Sequence, residues 1–362
     1  MRLLLAAGGT GGHVIPALVV AQEFCRRDAS RQVLFVGTLR GIENRLVPAA
    51  GFPLEHLVIG ALQGQSLATR LKTLLALPHA FLQAYRILER FQPDVVLGVG
   101  GYAAGPTMLA AAFRDIPLAV LEPNAFPGLA NRWVAPYVAR AFLAFEQAAP
   151  FFAPGKSLVT GMPLRQEFFD VPQRSHRSPF TVLVFGGSQG ARRLNQAVVE
   201  ALPNLAQTAS SSGLQLTFLH QTGESEYNRV REEVARHSAS VEVFAYLDRM
   251  WEAFARADLV VCRAGASTVA ELAAAGRAAI LVPFPAAADE HQLRNAEALE
   301  RLGAARLILD RRLNGETLLT AVRELLGNPE QLRRMESAMR RAGRQDATSR
   351  IVAELERLGA RH

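Results

Sequence analysis

Apolar residues fall in short dense blocks along the chain, separated by stretches in which they recur every three or four positions. In the first half the blocks cover residues 3–9, 32–37, 94–101 and 118–124; in the second they cover 181–187, 214–220, 241–247, 258–265 and 278–285. Short, largely apolar blocks bounded by turn residues predict strands buried on both faces, and the intervening helical periodicity predicts parallel sheets flanked by helices. Prolines at 150, 154, 163, 172 and 179 interrupt the pattern and mark residues 146–180 as a linker region. With 362 residues the chain is long enough for two α/β domains. We expect one over residues 1–163, completed by a C-terminal helix at 341–362, and one over 164–340.

Three of the blocks end in glycine turns: Gly8-Gly9-Thr10-Gly11-Gly12, Gly100-Gly101-Tyr102 up to Gly105, and Gly186-Gly187-Ser188-Gln189-Gly190. A glycine turn from strand to helix gathers backbone N–H groups at a helix start and suits a phosphate. The phosphate loop of nucleotide hydrolases is excluded for the first turn, because that loop closes on Gly-Lys-Ser/Thr and the only lysines are Lys72 and Lys156. The dinucleotide fingerprint fails as well: counted from Gly9, its sixth position is Val14, and the second strand closes on Gly37 rather than on an acid. Taken singly, each turn reads equally as a tight strand-to-helix connection. Together they predict two Rossmann-like domains whose strand ends face a shared cleft.

Charge narrows the partners. The chain carries a net +7, and the excess sits in residues 1–163, with 14 Lys/Arg against 9 Asp/Glu, whereas residues 164–340 hold 21 of each. No Lys/Arg block of the kind found in nucleic-acid arms is present, so no nucleic-acid partner is expected. No run reaches the roughly 20 apolar residues of a spanning helix, and the first block reads as a strand rather than a secretory segment. Cys25 and Cys262 lack any metal spacing and fit a reduced cytoplasm.

The block at 258–265 runs into Gly265 and a helix expected from about Ser267 to Gly276. Ser267 or Thr268 can cap that helix, leaving its positive end aimed at an anion. Glu271, one turn on, has the position to accept both hydroxyls of a ribose while the helix start holds the attached diphosphate; it also suits the first turn of any helix. Asp289 is placed to cap the next helix, with Gln292 and Asn295 just inside it, where polar side chains can bond a sugar.

These segments, the glycine turn running to His13 and Pro16, "GGSQGARRLN" from Gly186, "CRAGASTVAE" from Cys262 and "DEHQLRNA" from Asp289, together resemble the MurG family of peptidoglycan N-acetylglucosaminyltransferases over essentially the whole chain. The resemblance implies two Rossmann-like domains of the GT-B type, the first meeting acceptor and membrane and the second binding the UDP-sugar. It implies inverting transfer of N-acetylglucosamine from UDP-N-acetylglucosamine to the muramoyl 4-hydroxyl of lipid I, forming lipid II in peptidoglycan synthesis. Donor contacts then fall on Thr10, Gly11, Gly12, Asn124, Arg165, Ser188, Leu247, Ala266, Ser267, Thr268, Val269, Ala270, Glu271 and Gln292. Acceptor contacts are assigned to Gly100, Gly101, Tyr102 and Glu122. The sequence departs from the family pattern at Pro123, Met162 and Ala264. Partners implied are lipid I, an anionic membrane surface and cell-wall synthesis proteins, with a peripheral location on the cytoplasmic face of the membrane.

Transfer of a sugar to an alcohol needs a base for the hydroxyl and stabilisation of the departing diphosphate. His13 fits the first role, since an unperturbed imidazole with a pKa of about 6.5 is largely neutral at pH 7; it equally fits a loop-shaping residue bonded to a carbonyl. No Asp-x-Asp pair occurs, so a metal held by such a pair is not indicated, and the resemblance implies no cofactor. Residues 66–91 mix apolar side chains with Arg70, Lys72, Arg86 and Arg90. That composition suits an interfacial segment with Leu74, Leu75, Phe81 and Leu82 in the headgroups, and equally an internal helix pair broken at Pro78. Two other functions remain compatible: a GT-B transferase with another acceptor, such as diacylglycerol, and a nucleotide-sugar-binding protein without turnover.

Overall fold

The computed structural model describes residues 1–59, 67–176, 179–187, 190–211, 215–237, 239–287 and 290–360, apart from the side chains of 67–75 and 206–211. The chain forms two compact units, residues 1–165 with 344–362, and residues 166–343.

In the first unit the elements are β1 (Arg2–Ala7), α1 (Gly11–Arg27), β2 (Gln32–Thr38), α2 (Glu43–Ala49), β3 (Leu54–Leu57), α3 (Leu67–Phe91), β4 (Val95–Gly100), α4 (Ala104–Phe113), β5 (Leu118–Glu122), α5 (Leu129–Val134), β6 (Arg140–Leu143) and β7 (Ser157–Val159). The strands pair in parallel in the order β3-β2-β1-β4-β5-β6-β7. The order reverses direction at β1/β4, the switch point at whose carboxyl edge such sheets hold ligands. Leu4, Ala6, Val36, Val96 and Val120 line one sheet face and pack on Ala84, Leu88, Met108 and Ala111 of α3 and α4. Each leucine, valine or methionine among them contributes about 1.5–3 kcal/mol by leaving water, each alanine less.

The second unit repeats the scheme: β8 (Phe180–Phe185), α6 (Arg192–Ser211), β9 (Leu216–Gln221), α7 (Tyr227–Ala235), β10 (Val241–Phe244), α8 (Met250–Arg256), β11 (Leu259–Cys262), α9 (Ala266–Ala275), β12 (Ala279–Leu281), α10 (His291–Arg301), β13 (Ala305–Leu307), α11 (Gly315–Leu326) and α12 (Pro329–Ala342). The parallel order is β10-β9-β8-β11-β12-β13, with the reversal at β8/β11. The last helix, α13 (Ala347–Gly359), belongs to the first unit, where Glu356 pairs with Arg27 at 3.2 Å and Arg31 at 2.6 Å.

Two local expectations change. The proline-rich stretch is not all connection, because Ser157–Val159 adds β7 to the edge of the first sheet. Pro78 does not break the helix either: α3 runs through it as one element, its Ala80, Ala84, Ile87 and Leu88 buried against the core.

Candidate active site

At the end of β1 the chain turns through Gly8 to Thr10, with Gly9 at φ +88°, and enters α1 at Gly11. Thr10 is the N-cap in extended conformation, and its carbonyl accepts the N–H groups of His13 and Val14 at 3.1 and 3.2 Å. The N–H groups of Gly11 and Gly12, in the first turn of α1, have no intrahelical acceptor and are donors for an anion. His13, half-buried, has its Nδ1 3.5 Å from the Thr10 hydroxyl. The turn is fixed from below by Glu43 of α2 and from the side by the end of β4, where the Gly8 N–H donates to the Gly100 carbonyl at 3.3 Å. Gly100 and Gly101 adopt φ of +124° and +88°, and Tyr102 beside them is exposed.

Glu122, expected as an acceptor contact, is 1% exposed, and its oxygens accept the N–H groups of Asn124 and Gly128 and the Nδ2 of Asn131, all at 2.9 Å. Burial pushes its carboxyl above the ordinary glutamate value against the pull of those bonds. Glu122 therefore braces the loop that presents Asn124 and does not reach the surface itself. Met162, where the family pattern departs, is buried, and Arg165 is half-buried at the end of the first unit.

In the second unit α9 begins at Ala266 with Gly265 as N-cap and no side-chain cap, so the expected capping by Ser267 or Thr268 does not occur. Gly265 is extended and its carbonyl accepts the Val269 N–H at 2.9 Å, which leaves Ala266, Ser267 and Thr268 as the first-turn donors without an intrahelical acceptor. The Ser267 hydroxyl is shielded from solvent and has no hydrogen-bond partner among the described residues. A buried orphan hydroxyl at a helix start is the kind of group a bound anion would satisfy. Val269 is buried and offers no side chain, whereas Ala270 and Glu271 are half-buried on the same helix.

Gln292 and Asn295 tie α10 to the strand ends: Gln292 Oε1 accepts the Phe284 N–H at 3.0 Å, and Asn295 Nδ2 donates to the Ala264 carbonyl at 3.2 Å. Asp289 and Ser188 lie outside the described residues; α10 starts at His291, with Glu290 as N-cap. Around Ser188, Gly187 and Gly190 take φ of +86° and +73° and the Gly190 N–H donates to the Gly187 carbonyl at 2.9 Å.

Two residues that sequence reasoning passed over complete this end of the sheet. Gln221, at the end of β9, donates from Nε2 to the Gly187 carbonyl and accepts the Leu247 N–H at Oε1, both at 3.0 Å, and so ties the glycine turn to the Leu247 loop. Arg263, after β11, donates to the carbonyls of Val282 and Pro283 at 3.0 and 3.1 Å and to Asp310 at 2.6 Å, fixing the loop that carries Phe284. For Gln221 the available signal was a polar side chain directly after an apolar block; for Arg263 it was a charge inside one. Among the described residues no group of three or more His, Cys, Asp or Glu is placed to hold a metal ion.

Both units thus offer first-turn N–H groups at the switch point of a parallel sheet. Residues 3–143 match the glycosyltransferase family 28 N-terminal domain, and residues 181–351 match the family 28 C-terminal domain. The chain belongs to glycosyltransferase family 28. It is 46% identical over 354 residues to the UDP-N-acetylglucosamine–N-acetylmuramyl-(pentapeptide) pyrophosphoryl-undecaprenol N-acetylglucosamine transferase of Myxococcus xanthus, covering 97% of this chain and 91% of that relative. The protein of the same name from Anaeromyxobacter dehalogenans is 47% identical over 355 residues, with the same shares covered. The crystal structure of Acinetobacter baumannii MurG superposes with a TM-score of 0.79 at 30% identity, covering 98% of this chain and 99% of that one. Two Rossmann-like domains of the GT-B type are therefore the fold of this family 28 enzyme.

Proposed function

We propose that this family 28 enzyme moves N-acetylglucosamine from UDP-N-acetylglucosamine onto the muramoyl 4-hydroxyl of lipid I, undecaprenyl-diphospho-muramoylpentapeptide, with inversion at the sugar C1, giving lipid II and UDP. The reading is carried by identity of nearly one half, across 97% of the chain, to relatives named for that transfer. The donor is held by the second unit: the N–H groups at Ala266–Thr268 and the Ser267 hydroxyl take the diphosphate, Glu271 the ribose, and Gln292 the sugar. In the first unit Arg165, Asn124 and the Thr10–Gly12 turn are assigned to the donor, and Gly100, Gly101 and Tyr102 to the acceptor.

As the muramoyl oxygen bonds to C1, the bond from C1 to the diphosphate oxygen breaks and UDP leaves with the electron pair. His13 takes the hydroxyl proton at Nε2, its Nδ1 being turned towards Thr10. Helix N-termini oppose the charge that grows on the leaving diphosphate. No cofactor is assigned, nor a metal held by an Asp-x-Asp pair, which the sequence lacks.

The enzyme works at the cytoplasmic face of the membrane without crossing it; no described helix is long and apolar enough to span a bilayer. Its contact surface is the outward side of α3 and the end of α4. Phe113 is 73% exposed and Leu82 53% exposed there, and Arg114 lies over the Tyr85 ring at 4.7 Å. Phe81, a headgroup candidate from sequence, is instead partly buried against the core and meets Phe113 edge-on at 6.1 Å; the side chains of Leu74 and Leu75 lie outside the described residues. Incubation with UDP-N-acetylglucosamine and a lipid I analogue, following UDP release, tests the function: release that depends on lipid I and not on diacylglycerol is expected, and the reverse dependence overturns it.

A further inference from the structure

Glu43 opens the short helix α2, yet its side chain is fully buried. Its Oε2 accepts the Gly9 N–H at 2.9 Å, and its Oε1 accepts both the N–H and the hydroxyl of Thr38 at 2.8 Å. Three backbone turns close around the carboxylate. A Cβ at Gly8 would lie 2.7 Å from Oε1, one at Gly37 2.7 Å from Cγ, and one at Gly41 would overlap Oε2. The three glycines therefore make room for this one side chain, and a carboxylate fills what would otherwise be a void lined by N–H donors.

The bond to Gly9 fixes the peptide that leads into Thr10 and His13. The same turn rests on the end of β4, with the Gly8 carbonyl against Gly101 and the Gly8 N–H on the Gly100 carbonyl. The His13 ring sits over Gly100. Glu43 touches neither ring nor any surface a substrate could reach, so its influence passes through the glycine turn.

We infer that Glu43 is a positioning residue for His13: by holding the Gly9 peptide it sets the start of α1 and the orientation of the imidazole that takes the acceptor's proton. This rests on the transferase reading given above. Glu43→Gln keeps the volume of the side chain but turns one acceptor into a donor, placing N–H against N–H at either Gly9 or Thr38.

Turnover and the carbon-bound ring protons of His13, assigned by their loss in His13→Ala, are measured by kinetics and NMR. Glu43→Gln is expected to lower kcat at least tenfold and to shift the His13 ring signals, while calorimetric affinity for UDP, which is assigned to the second unit, stays within twofold. Combined with His13→Ala, it should cost no further turnover, because the group it positions is gone. Turnover within twofold of wild type, unmoved ring signals, or an equal fall in the His13→Ala background each overturns the inference. If Glu43→Gln does not fold, Thr38→Val removes a single hydroxyl from the same carboxylate. A threefold fall in kcat with the same ring shift is expected, and no change in either overturns the role. Should the wild type transfer no sugar to lipid I while the ring signals still move in Glu43→Gln, the transferase reading fails and the link from Glu43 to His13 stands.

Discussion

The imidazole of His13 lies so close to Gly100 that a methyl group there would sit 2.7 Å from Cδ2 and 2.8 Å from Nε2. Gly100 also holds a φ of +124°, which side chains rarely adopt. Gly100→Ala is thus expected to push the ring aside and to lower turnover about 100-fold, within the range typical for a displaced general base. UDP affinity, measured by calorimetry, should remain near wild type, and full turnover in the variant would show that the ring position is unimportant.

His13→Ala separates base from loop. If the imidazole takes the proton, kcat falls by about 10²–10⁴ with donor affinity near normal. Retention of more than about a third of wild-type turnover, far outside that range, would leave His13 as a residue that only shapes the turn.

Glu271→Ala tests the ribose assignment in the second unit. A charged hydrogen bond is worth about 1.5–3 kcal/mol, or roughly 10- to 150-fold in affinity. Calorimetric titration with UDP should show that loss, and unchanged affinity would remove Glu271 from the donor site.

A buried cluster in the second unit sets a pH limit on stability. The Nδ1 of His176 lies 3.3 Å from Asp258 and its Nε2 3.1 Å from Glu336; Arg174 bonds Asp258 twice at 3.1 Å, and Arg277 and Arg340 stand 3.8 and 3.9 Å from Glu336. The adjoining carboxylates of Asp258 and then Glu336 raise the His176 pKa to about 9, overcoming its burial. A pKa raised on folding means the protonated form is favoured in the native state. The stabilisation is complete below about pH 6.5, declines above it, and is lost beyond about pH 9, a span worth about 3 kcal/mol. Thermal unfolding should show that decline in the wild type. His176→Asn, which tolerates the positive φ of 50° at this position, should flatten it. Equal slopes in the two proteins would dissociate the cluster from the pH response.

Leu82→Ser with Phe113→Ser examines the membrane surface. Wild-type binding to vesicles should rise with anionic lipid and fall with salt, each basic residue contributing about 1 kcal/mol near such a surface. The double variant should bind vesicles less while keeping its melting temperature and UDP affinity. Unaltered vesicle binding would place the contact elsewhere.

Central strands were legible because they are buried on both faces and read as unbroken apolar blocks. Leu54–Leu57, Arg140–Leu143, Ser157–Val159 and Ala305–Leu307 escaped notice: each is only three or four residues long, three lie at sheet edges, and their polar residues break the apolar signal. The turns were legible where glycine imposes the backbone, as at Gly9 and Gly187. The burial of single polar side chains was not. Glu122 ends a strand as a ligand residue would, and only the fold of residues 124–131 over it turns it inwards. Ser267 looked like a cap, but the extended Gly265 starts the helix one residue earlier and leaves the hydroxyl without a backbone partner.

The helix α13 closes the first unit with residues from the far end of the chain: Glu354 meets Arg140 at 3.3 Å, and Gly359 packs beside Met1 and Asp94. On the ribosome, where chain emerges at about 5–20 residues per second, every residue of the second unit is therefore available before the first unit has its last helix. A chain stopped after residue 343 would carry the whole second unit together with a first unit lacking Glu356, which pairs with both Arg27 and Arg31.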